Sequence, residues 1–284
     1  MFKKIAVFGT GSMGSGIIQT AATNGLQVVA IDNERSSVDR GKKIIEKSLA
    51  RFEKKGRLKE SANEIIGRIE FATDPERASD ADFVFEAIFE DIKIKAELYK
   101  KINAIVPETV PFASNTSSLS MTALAKASGR SSNFVGMHFF NPVPMMKLVE
   151  IIPALQTASK TVEAAKSMAE IMGKTAVVCK DTPGFIVNRI LVPYMLEAAR
   201  VYDAEIASPE QIDTAMKLGA GVPMGPLELM DFTGVDIAYF VGNILYDETK
   251  DKKFLPPNVM QKMVQAGWLG RKTGKGFYDY SKKD

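Results

Sequence analysis

A glycine-rich turn near the start of the sequence limits the choice of fold. Gly9-Thr-Gly11-Ser-Met-Gly14 follows a short apolar run typical of a strand, and a helical pattern comes after it. In such a strand–turn–helix unit, the first glycine permits a tight turn, the second lets the backbone approach a pyrophosphate, and the third lets helix and strand pack closely. The motif therefore predicts a dinucleotide site whose backbone N–H groups face the phosphates. The residues expected there are Gly9, Gly11, Ser12, Met13 and Gly14.

Asp32 indicates which dinucleotide binds. It directly follows the second predicted strand. A carboxylate at that point binds the adenosine ribose hydroxyls and repels a 2′-phosphate, so NAD is favoured over NADP. Arg35 lies close in sequence and weakens that preference. The alternative interpretation is a glycine-rich turn without a ligand.

The first 180 residues alternate short apolar runs with helical patterns, which favours a mainly parallel α/β sheet. The predicted strands are Ile5–Phe8, Gln27–Ile31, Ile69–Ala72, Phe83–Ala87, Pro111–Ala113, Phe134–His138, Leu148–Ile152 and Ala176–Cys179. After Pro183-Gly184 the pattern becomes helical, and Pro183 is expected in the first turn of a new helix. The sequence thus predicts an α/β domain over residues 1–182 and a smaller all-helical domain over residues 183–284.

Composition excludes several classes of protein. No apolar stretch reaches the roughly 20 residues that a membrane-crossing helix needs, and the first residues run straight into a predicted strand, so we expect a cytoplasmic protein without a membrane partner. The net charge of +3 is too small to imply nucleic-acid binding. With one cysteine, Cys179, and one histidine, no zinc site is expected, and Cys179 is interpreted as a buried, inert thiol.

A basic helical hairpin is predicted between the second and third strands, over about residues 36–67. Residues 40–59 carry nine Lys or Arg against two acidic residues, with apolar residues at helical spacing, and Gly56 indicates a bend into a second helix. One face is thus apolar and the other basic. The functional interpretation is a platform for a phosphorylated ligand, and the alternative is an ordinary solvated helix face.

His138, the only histidine, stands at the end of a predicted strand, where ligands bind in open α/β sheets. Glu150 lies in the apolar strand Leu148–Ile152, where a carboxylate is costly to bury without a partner, and His138 is the obvious one. Such a pair suits oxidation of an alcohol. Imidazole, with an intrinsic pKa of about 6.5, accepts the hydroxyl proton, and the carboxylate fixes its tautomer. The alternative is a structural histidine satisfied by the backbone.

Two further polar groups fall at positions that need partners. The segment Ser114-Asn-Thr-Ser117-Ser118 follows a short predicted strand, where such clusters usually form turns and caps. Asn188 shares a predicted helix face with apolar neighbours and needs a hydrogen-bond partner in the protein or in a ligand.

Together these segments resemble the 3-hydroxyacyl-CoA dehydrogenase family, in particular its short bacterial 3-hydroxybutyryl-CoA members. The resemblance covers essentially the whole chain. The segments that carry it are Gly9-Thr-Gly-Ser-Met-Gly-Ser-Gly16, Ser114-Asn-Thr-Ser-Ser118, Gly136-Met-His-Phe-Phe-Asn-Pro142, Met146-Lys-Leu-Val-Glu150, Asp181-Thr-Pro-Gly-Phe-Ile-Val-Asn-Arg189, Pro223-Met-Gly-Pro-Leu-Glu228 and Gly267-Trp-Leu-Gly-Arg-Lys-Thr-Gly-Lys-Gly-Phe-Tyr278.

The resemblance implies a Rossmann-type domain followed by a helical domain that forms a homodimer, and a reversible NAD-dependent conversion of (S)-3-hydroxybutyryl-CoA to acetoacetyl-CoA. It implies that His138 is the catalytic base, that Glu150 is its partner, and that Ser117 and Asn188 hold the 3-oxygen of the substrate. The residues it places at the cofactor are Glu90, Lys95, Asn115, Ser117 and Asn141. The residues it places at coenzyme A on the basic hairpin are Ser48, Arg51 and Lys55.

Two other functions fit parts of the sequence. A structural protein can reuse this fold, as some lens crystallins resembling the family do, although the joint presence of Ser117, His138, Glu150 and Asn188 argues against it. A related enzyme for a free hydroxy acid would leave the basic hairpin without an evident use. Chain-length preference, physiological direction and pathway stay open.

Overall fold

Short runs rich in β-branched and aromatic residues form eight strands in the computed structural model, which describes residues 2–281. The strands are β1 (Lys4–Phe8), β2 (Gln27–Ile31), β3 (Ile69–Ala72), β4 (Phe83–Glu86), β5 (Phe112–Ser114), β6 (Phe134–Phe139), β7 (Leu148–Pro153) and β8 (Thr175–Val178). Each lies within two residues of its predicted bounds.

All eight strands join one sheet in the order β3-β2-β1-β4-β5-β6-β7-β8. Neighbouring strands are parallel except for β6 and β7, which pair antiparallel. The chain builds outward from β1 to β3 and then returns to place β4 on the other side of β1. That reversal opens a crevice at the carboxyl ends of β1 and β4, which is where open α/β sheets bind ligands. The predicted mainly parallel α/β fold is confirmed.

Alternate residues of the central strands pack into two apolar layers, one on each face of the sheet. In β1, Ile5 and Val7 pack into one layer, whereas Ala6 and Phe8 pack into the other. This two-residue alternation follows from the pleat of a strand, and burial of both faces explains why the strands are almost continuously apolar. The helices that cover the sheet are α1 (Ser12–Thr23), α2 (Arg35–Lys54), α3 (Ala62–Ile66), α4 (Ile92–Asn103), α5 (Met121–Ser128) and α6 (Ser159–Ile171).

The chain divides into two compact units, the first ending at Phe185 and the second beginning at Ile186. The helices of the second unit are α7 (Val187–Asp203), α8 (Pro209–Gly219), α9 (Pro226–Thr233), α10 (Val235–Thr249) and α11 (Asn258–Gln265). Pro183 does not lie in the first turn of α7, contrary to the prediction. Phe185 has a left-handed φ of 46°, which breaks the chain into a turn before the helix begins.

Two buried carboxylates hold the glycine-rich C-terminal segment onto the second unit. Asp231 accepts hydrogen bonds from the backbone N–H groups of Phe277 and Tyr278 and from the Tyr280 hydroxyl. Asp213 accepts one from the Tyr278 hydroxyl at 2.7 Å. Burial raises the pKa of Asp231, although these hydrogen bonds oppose the effect. The segment needs such anchors because it forms no long helix or strand of its own.

Candidate active site

The glycine turn after β1 has the geometry that a dinucleotide requires. A Cβ on Gly14 would meet the Gly9 carbonyl oxygen at 1.9 Å, and a Cβ on Gly9 would meet the Ala87 carbonyl oxygen at 2.4 Å. Both contacts are far too close for a side chain. Gly11 instead faces open space and begins α1 without a side-chain cap. The first N–H groups of α1 are therefore free to bind a pyrophosphate.

Asp32 lies at the carboxyl end of β2, beside this turn. Its Oδ2 accepts hydrogen bonds from the Thr10 N–H at 2.8 Å and the Thr10 hydroxyl at 2.9 Å, which fix the carboxylate. A cavity of about 780 Å³ adjoins it, lined among others by Phe8, Gly9, Gly11, Ile31, Asp32 and Phe89. Arg35 turns to Asp39, with Nε 3.0 Å from Oδ1. These residues fit the adenosine of NAD, with a negative charge at the ribose.

His138 and Glu150 are directly opposite each other on the antiparallel strands β6 and β7. The His138 Nδ1 lies 2.7 Å from the Glu150 Oε2, and both side chains are almost fully buried. The rings of Phe140 and Phe185 pack against the imidazole, with centroids 4.6 Å and 5.5 Å away. Because Nδ1 is engaged, Nε2 is the nitrogen left for a ligand. Opposed positions on paired strands put both side chains on one face, so the register itself creates the pair.

Glu90 and Lys95 meet in a polar cluster beyond the carboxyl ends of β4 and β5. The Lys95 ammonium lies 3.1 Å from Glu90 Oε2. Glu90 also accepts hydrogen bonds from the Thr116 hydroxyl, the Ser117 N–H and the Ser118 hydroxyl. Burial alone would raise the pKa of Glu90, but the positive Lys95 and these hydrogen bonds outweigh it and lower the pKa. Glu90 therefore orders the polar segment that carries Ser117.

Asn115 and Ser117 have different surroundings within that segment. Asn115 Oδ1 accepts a hydrogen bond from the Phe139 N–H at 2.9 Å, which ties the segment to the end of β6, next to His138. The Ser117 hydroxyl makes no hydrogen bond within residues 2–281, although the Ser117 N–H donates to Glu90. The side chain is half-buried. It is thus free to donate to a ligand oxygen.

The loop between β6 and β7 carries Asn141, which is exposed. Lys174 reaches this loop from the far end of α6 and donates to the carbonyls of Val143 at 2.5 Å and Met146 at 2.7 Å. Burial lowers the pKa of Lys174. The buried lysine fixes the loop that connects the strands of His138 and Glu150.

The remaining predicted residues lie on α2 and α7. Ser48 and Arg51 are on α2 and Lys55 follows its last residue, so the three share one side of the helix at spacings of three and four. Arg51 and Lys55 are exposed and have no carboxylate partner among residues 2–281. Asn188 is half-buried on α7 of the second unit. The predicted site residues are therefore divided between the two units.

Three supporting residues were missed by the sequence analysis. Thr10 fixes Asp32, Lys174 fixes the β6–β7 loop, and Glu86 binds Lys95 with its Oε1 2.6 Å from the ammonium. Glu86 had a detectable signal, since it is a carboxylate at the end of an apolar strand, as Glu150 is within one. Cys179 is half-buried, and burial together with Glu150 and Asp181 raises the pKa of its thiol to about 11. It carries no reactive thiolate at neutral pH.

A doubly wound sheet whose glycine turn and Asp32 accommodate NAD, beside a buried histidine–carboxylate pair, defines an NAD-dependent dehydrogenase. The family comparisons specify it further. A model described as 3-hydroxyacyl-CoA dehydrogenase, NAD binding domain, matches residues 4–182, and one described as 3-hydroxyacyl-CoA dehydrogenase, C-terminal domain, matches residues 184–280. The chain belongs to the 3-hydroxyacyl-CoA dehydrogenase family, and that prediction is confirmed.

Relatives resemble the chain over almost its full length. A probable 3-hydroxybutyryl-CoA dehydrogenase of Deinococcus radiodurans is 48% identical over 98% of this chain and 100% of its own. The mitochondrial hydroxyacyl-coenzyme A dehydrogenase of Homo sapiens is 44% identical over 98% of this chain and 91% of its own. The crystal structure of an (S)-3-hydroxybutyryl-CoA dehydrogenase from Ralstonia eutropha covers 99% of this chain and 100% of its own, with a TM-score of 0.94 and 44% identity. Within residues 2–281, no helix is both long and apolar enough to span a membrane.

Proposed function

We propose that this enzyme reversibly converts (S)-3-hydroxybutyryl-CoA to acetoacetyl-CoA with NAD, using His138 as general base and Glu150 as its partner. The observation that carries the proposal is the 2.7 Å contact between His138 Nδ1 and Glu150 Oε2 at the carboxyl edge of an NAD-binding sheet. Burial of a carboxylate and an imidazole costs desolvation free energy, and buried ionisable pairs of this kind cluster at functional sites. The names of the relatives from Deinococcus radiodurans and Ralstonia eutropha support the choice of a short acyl substrate.

His138 would move the proton of the reaction at Nε2. Glu150 holds the Nδ1–H tautomer, so Nε2 carries the lone pair that accepts the proton of the 3-hydroxyl. The positive charge that then forms on the imidazole is stabilised by Glu150 next to it. NAD, when bound, supplies the hydride acceptor. In the reverse direction His138 would return the proton to the 3-oxygen.

Ser117 and Asn188 would hold the 3-oxygen while charge develops on it. The free hydroxyl of Ser117 supports this role in the first unit, because a donor without an internal partner is available to substrate. The side-chain amide of Asn188 would add a second donor from the second unit. Preorganised donors aimed at a developing negative charge are typically worth about 10² to 10³-fold in rate each.

We further propose that the coenzyme A phosphates bind the basic side of α2. Arg51 and Lys55 are exposed cations without carboxylate partners, so a phosphate would not have to displace an internal ion pair. Two other cations of α2 are already engaged, since Lys42 lies 3.9 Å from Glu46 and Arg40 donates to Ser37. Ser48, one turn before Arg51, would add a neutral hydrogen bond.

The second unit is proposed to form a homodimer. Its helices expose large apolar side chains that a monomer would leave in water, among them Ile190 on α7, Phe232 on α9, and Ile237, Phe240 and Ile244 on α10. Positions 237, 240 and 244 are at spacings of three and four, so they form one stripe along α10. Exposed apolar stripes of this kind mark protein–protein interfaces. The same unit would supply Asn188 to the substrate.

The activity is tested by mixing the purified protein with acetoacetyl-CoA and NADH and following the loss of NADH absorbance. We expect rapid oxidation of NADH with the thioester and little with free acetoacetate, because the free acid cannot use the basic side of α2. His138→Gln is the matched control and should be nearly inactive. Activity on the free acid alone would indicate a hydroxy-acid enzyme, and inactivity with both substrates would indicate a structural protein.

A further inference from the structure

A second buried carboxylate, Glu86, lies at the end of β4 and takes part in none of the steps above. Both Glu86 and Lys95 are only 1% exposed, and the Lys95 ammonium lies 2.6 Å from Glu86 Oε1. Glu86 Oε2 accepts hydrogen bonds from the hydroxyls of Tyr99 and Ser114, each at 2.7 Å, and Oε1 accepts one from the Ile88 N–H at 2.9 Å. With four donors around it, Glu86 is fully occupied by the protein and cannot touch a ligand.

The position of this cluster in the sheet places it beside the nicotinamide half of the cofactor. Asp32 after β2 and the glycine turn after β1 take the adenosine and the pyrophosphate. A dinucleotide that crosses the crevice between β1 and β4, where the strand order reverses, then extends over the carboxyl ends of β4 and β5. Glu86 ends β4, and its partner Ser114 ends β5.

The cluster has an unbalanced charge. The Lys95 ammonium lies between two carboxylates, 2.6 Å from Glu86 and 3.1 Å from Glu90. One cation against two anions leaves one formal negative charge. Burial of Lys95 and Glu86 keeps water from screening it fully. The two forms of the cofactor differ at the nearby nicotinamide ring, because NAD⁺ carries a positive charge there and NADH does not.

We propose that Glu86 is a positioning residue that sets the preference of this enzyme between NAD⁺ and NADH. It fixes Lys95 between the two carboxylates and leaves one uncompensated negative charge on the nicotinamide side, which attracts the oxidised ring and is indifferent to the reduced one. The proposal rests on NAD binding alone and not on the acyl substrate, so a failure of the proposed reaction would leave it intact.

The test measures the dissociation constants of NADH, by fluorescence, and of NAD⁺, by competition, in the full-length protein without acyl-CoA. Glu86→Gln removes one negative charge with little change of shape. It should weaken NAD⁺ relative to NADH by at least about threefold, because a unit negative charge lost from a partly buried cluster no longer attracts the positive nicotinamide ring.

Three controls separate charge from structural damage. Tyr99→Phe removes a hydrogen bond to Glu86 but no charge, so it should lower the melting temperature and leave the ratio of the NAD⁺ and NADH dissociation constants unchanged. Glu163→Gln removes an exposed charge on α6 and should change neither the melting temperature nor the ratio of the two dissociation constants. If Glu86→Gln does not fold, Glu90→Gln makes the same charge change at a side chain that is 34% exposed, and it should shift the ratio in the same direction. An unchanged ratio in every folded charge variant would overturn the proposal.

Discussion

At the scale of single residues, the chemistry depends on which atoms of each side chain the fold leaves free. Glu150 occupies Nδ1 of His138 and leaves Nε2, and Thr10 fixes one oxygen of Asp32. Ser117 donates its N–H to Glu90 and keeps its hydroxyl for a ligand. An internal partner thus orients the side chains of His138 and Asp32, and at His138 it selects Nε2 as the atom left for a ligand.

Removal of the proposed base should abolish most of the activity without loss of cofactor affinity. General-base catalysis contributes about 10² to 10⁴-fold, so His138→Gln should lower kcat by that order. Glu150→Gln should also lower kcat, because a neutral partner no longer stabilises the imidazolium. As the two side chains are in contact, the double variant should be far less than multiplicatively worse. Steady-state kinetics of the four proteins checks this, and multiplicative losses would show that Glu150 does not act through His138.

Asp32 is expected to decide between NADH and NADPH. Its carboxylate, fixed by Thr10, would lie next to a 2′-phosphate and repel it. The unmodified enzyme should therefore have a clearly higher kcat/KM with NADH than with NADPH, and Asp32→Ala should bring the two values closer together. Asp39→Ala is the informative comparison, because it frees Arg35 without touching Asp32. A larger effect of Asp39→Ala than of Asp32→Ala would mean that Arg35 governs the choice.

At the scale of elements, α2 shows how one helix serves two purposes. Its buried side, including Val38, Ile45 and Leu49, packs against the rest of the first unit and fixes the helix in place. The opposite side is basic and has few internal partners. The apolar side alone determines how α2 packs. The charged side chains on the other side can therefore serve ligand binding without changing that packing.

Cations on α2 should contribute to substrate affinity through long-range attraction. Arg51→Ala or Lys55→Ala should raise KM for acetoacetyl-CoA several-fold at low salt and leave KM for NADH almost unchanged. The effect should shrink as salt rises, because exposed charges are screened over about 8 Å at physiological ionic strength. Lys166→Ala, which removes an exposed cation from α6, is the control. An unchanged KM for acetoacetyl-CoA at low salt in both α2 variants would show that the basic side of α2 does not bind coenzyme A.

At the scale of the whole molecule, each unit has its own apolar core. The first unit has the nucleotide-binding sheet and the His138–Glu150 pair, whereas the second has Asn188 and the apolar stripe on α10. We propose that the second unit provides both dimerisation and part of the substrate site.

A charge on the α10 stripe should disrupt the proposed dimer. Phe240 is 54% exposed, so Phe240→Asp should be tolerated in a monomer but is costly in an apolar interface. Size-exclusion chromatography with light scattering should give a dimer for the unmodified protein and a monomer for Phe240→Asp. Leu155→Asp makes the same kind of change at an 87% exposed residue of the first unit and should leave the dimer intact. A monomeric unmodified protein would refute the proposal.

Features that depend on local rules could be predicted from the amino-acid sequence. Strand periodicity located all eight strands, and the glycine spacing located the turn, because both reflect backbone geometry over a few residues. The His138–Glu150 contact was also predictable. Two residues of the required types stood on neighbouring strands, and Glu150 needed a partner that the sequence offered only once.

Contacts between residues far apart in sequence could not be predicted, because they depend on how the chain packs in three dimensions. Glu86 and Ser114 are 28 residues apart, Lys174 and Val143 are 31 apart, and Asp231 and Tyr280 are 49 apart. Each pair meets because the strand order or helix packing brings separate segments together, and many sequence pairings are equally compatible with local propensity. The start of α7 was not predicted for a related reason. Phe185 has a positive φ, which residues other than glycine rarely adopt. Such a conformation persists only where the surrounding packing imposes it.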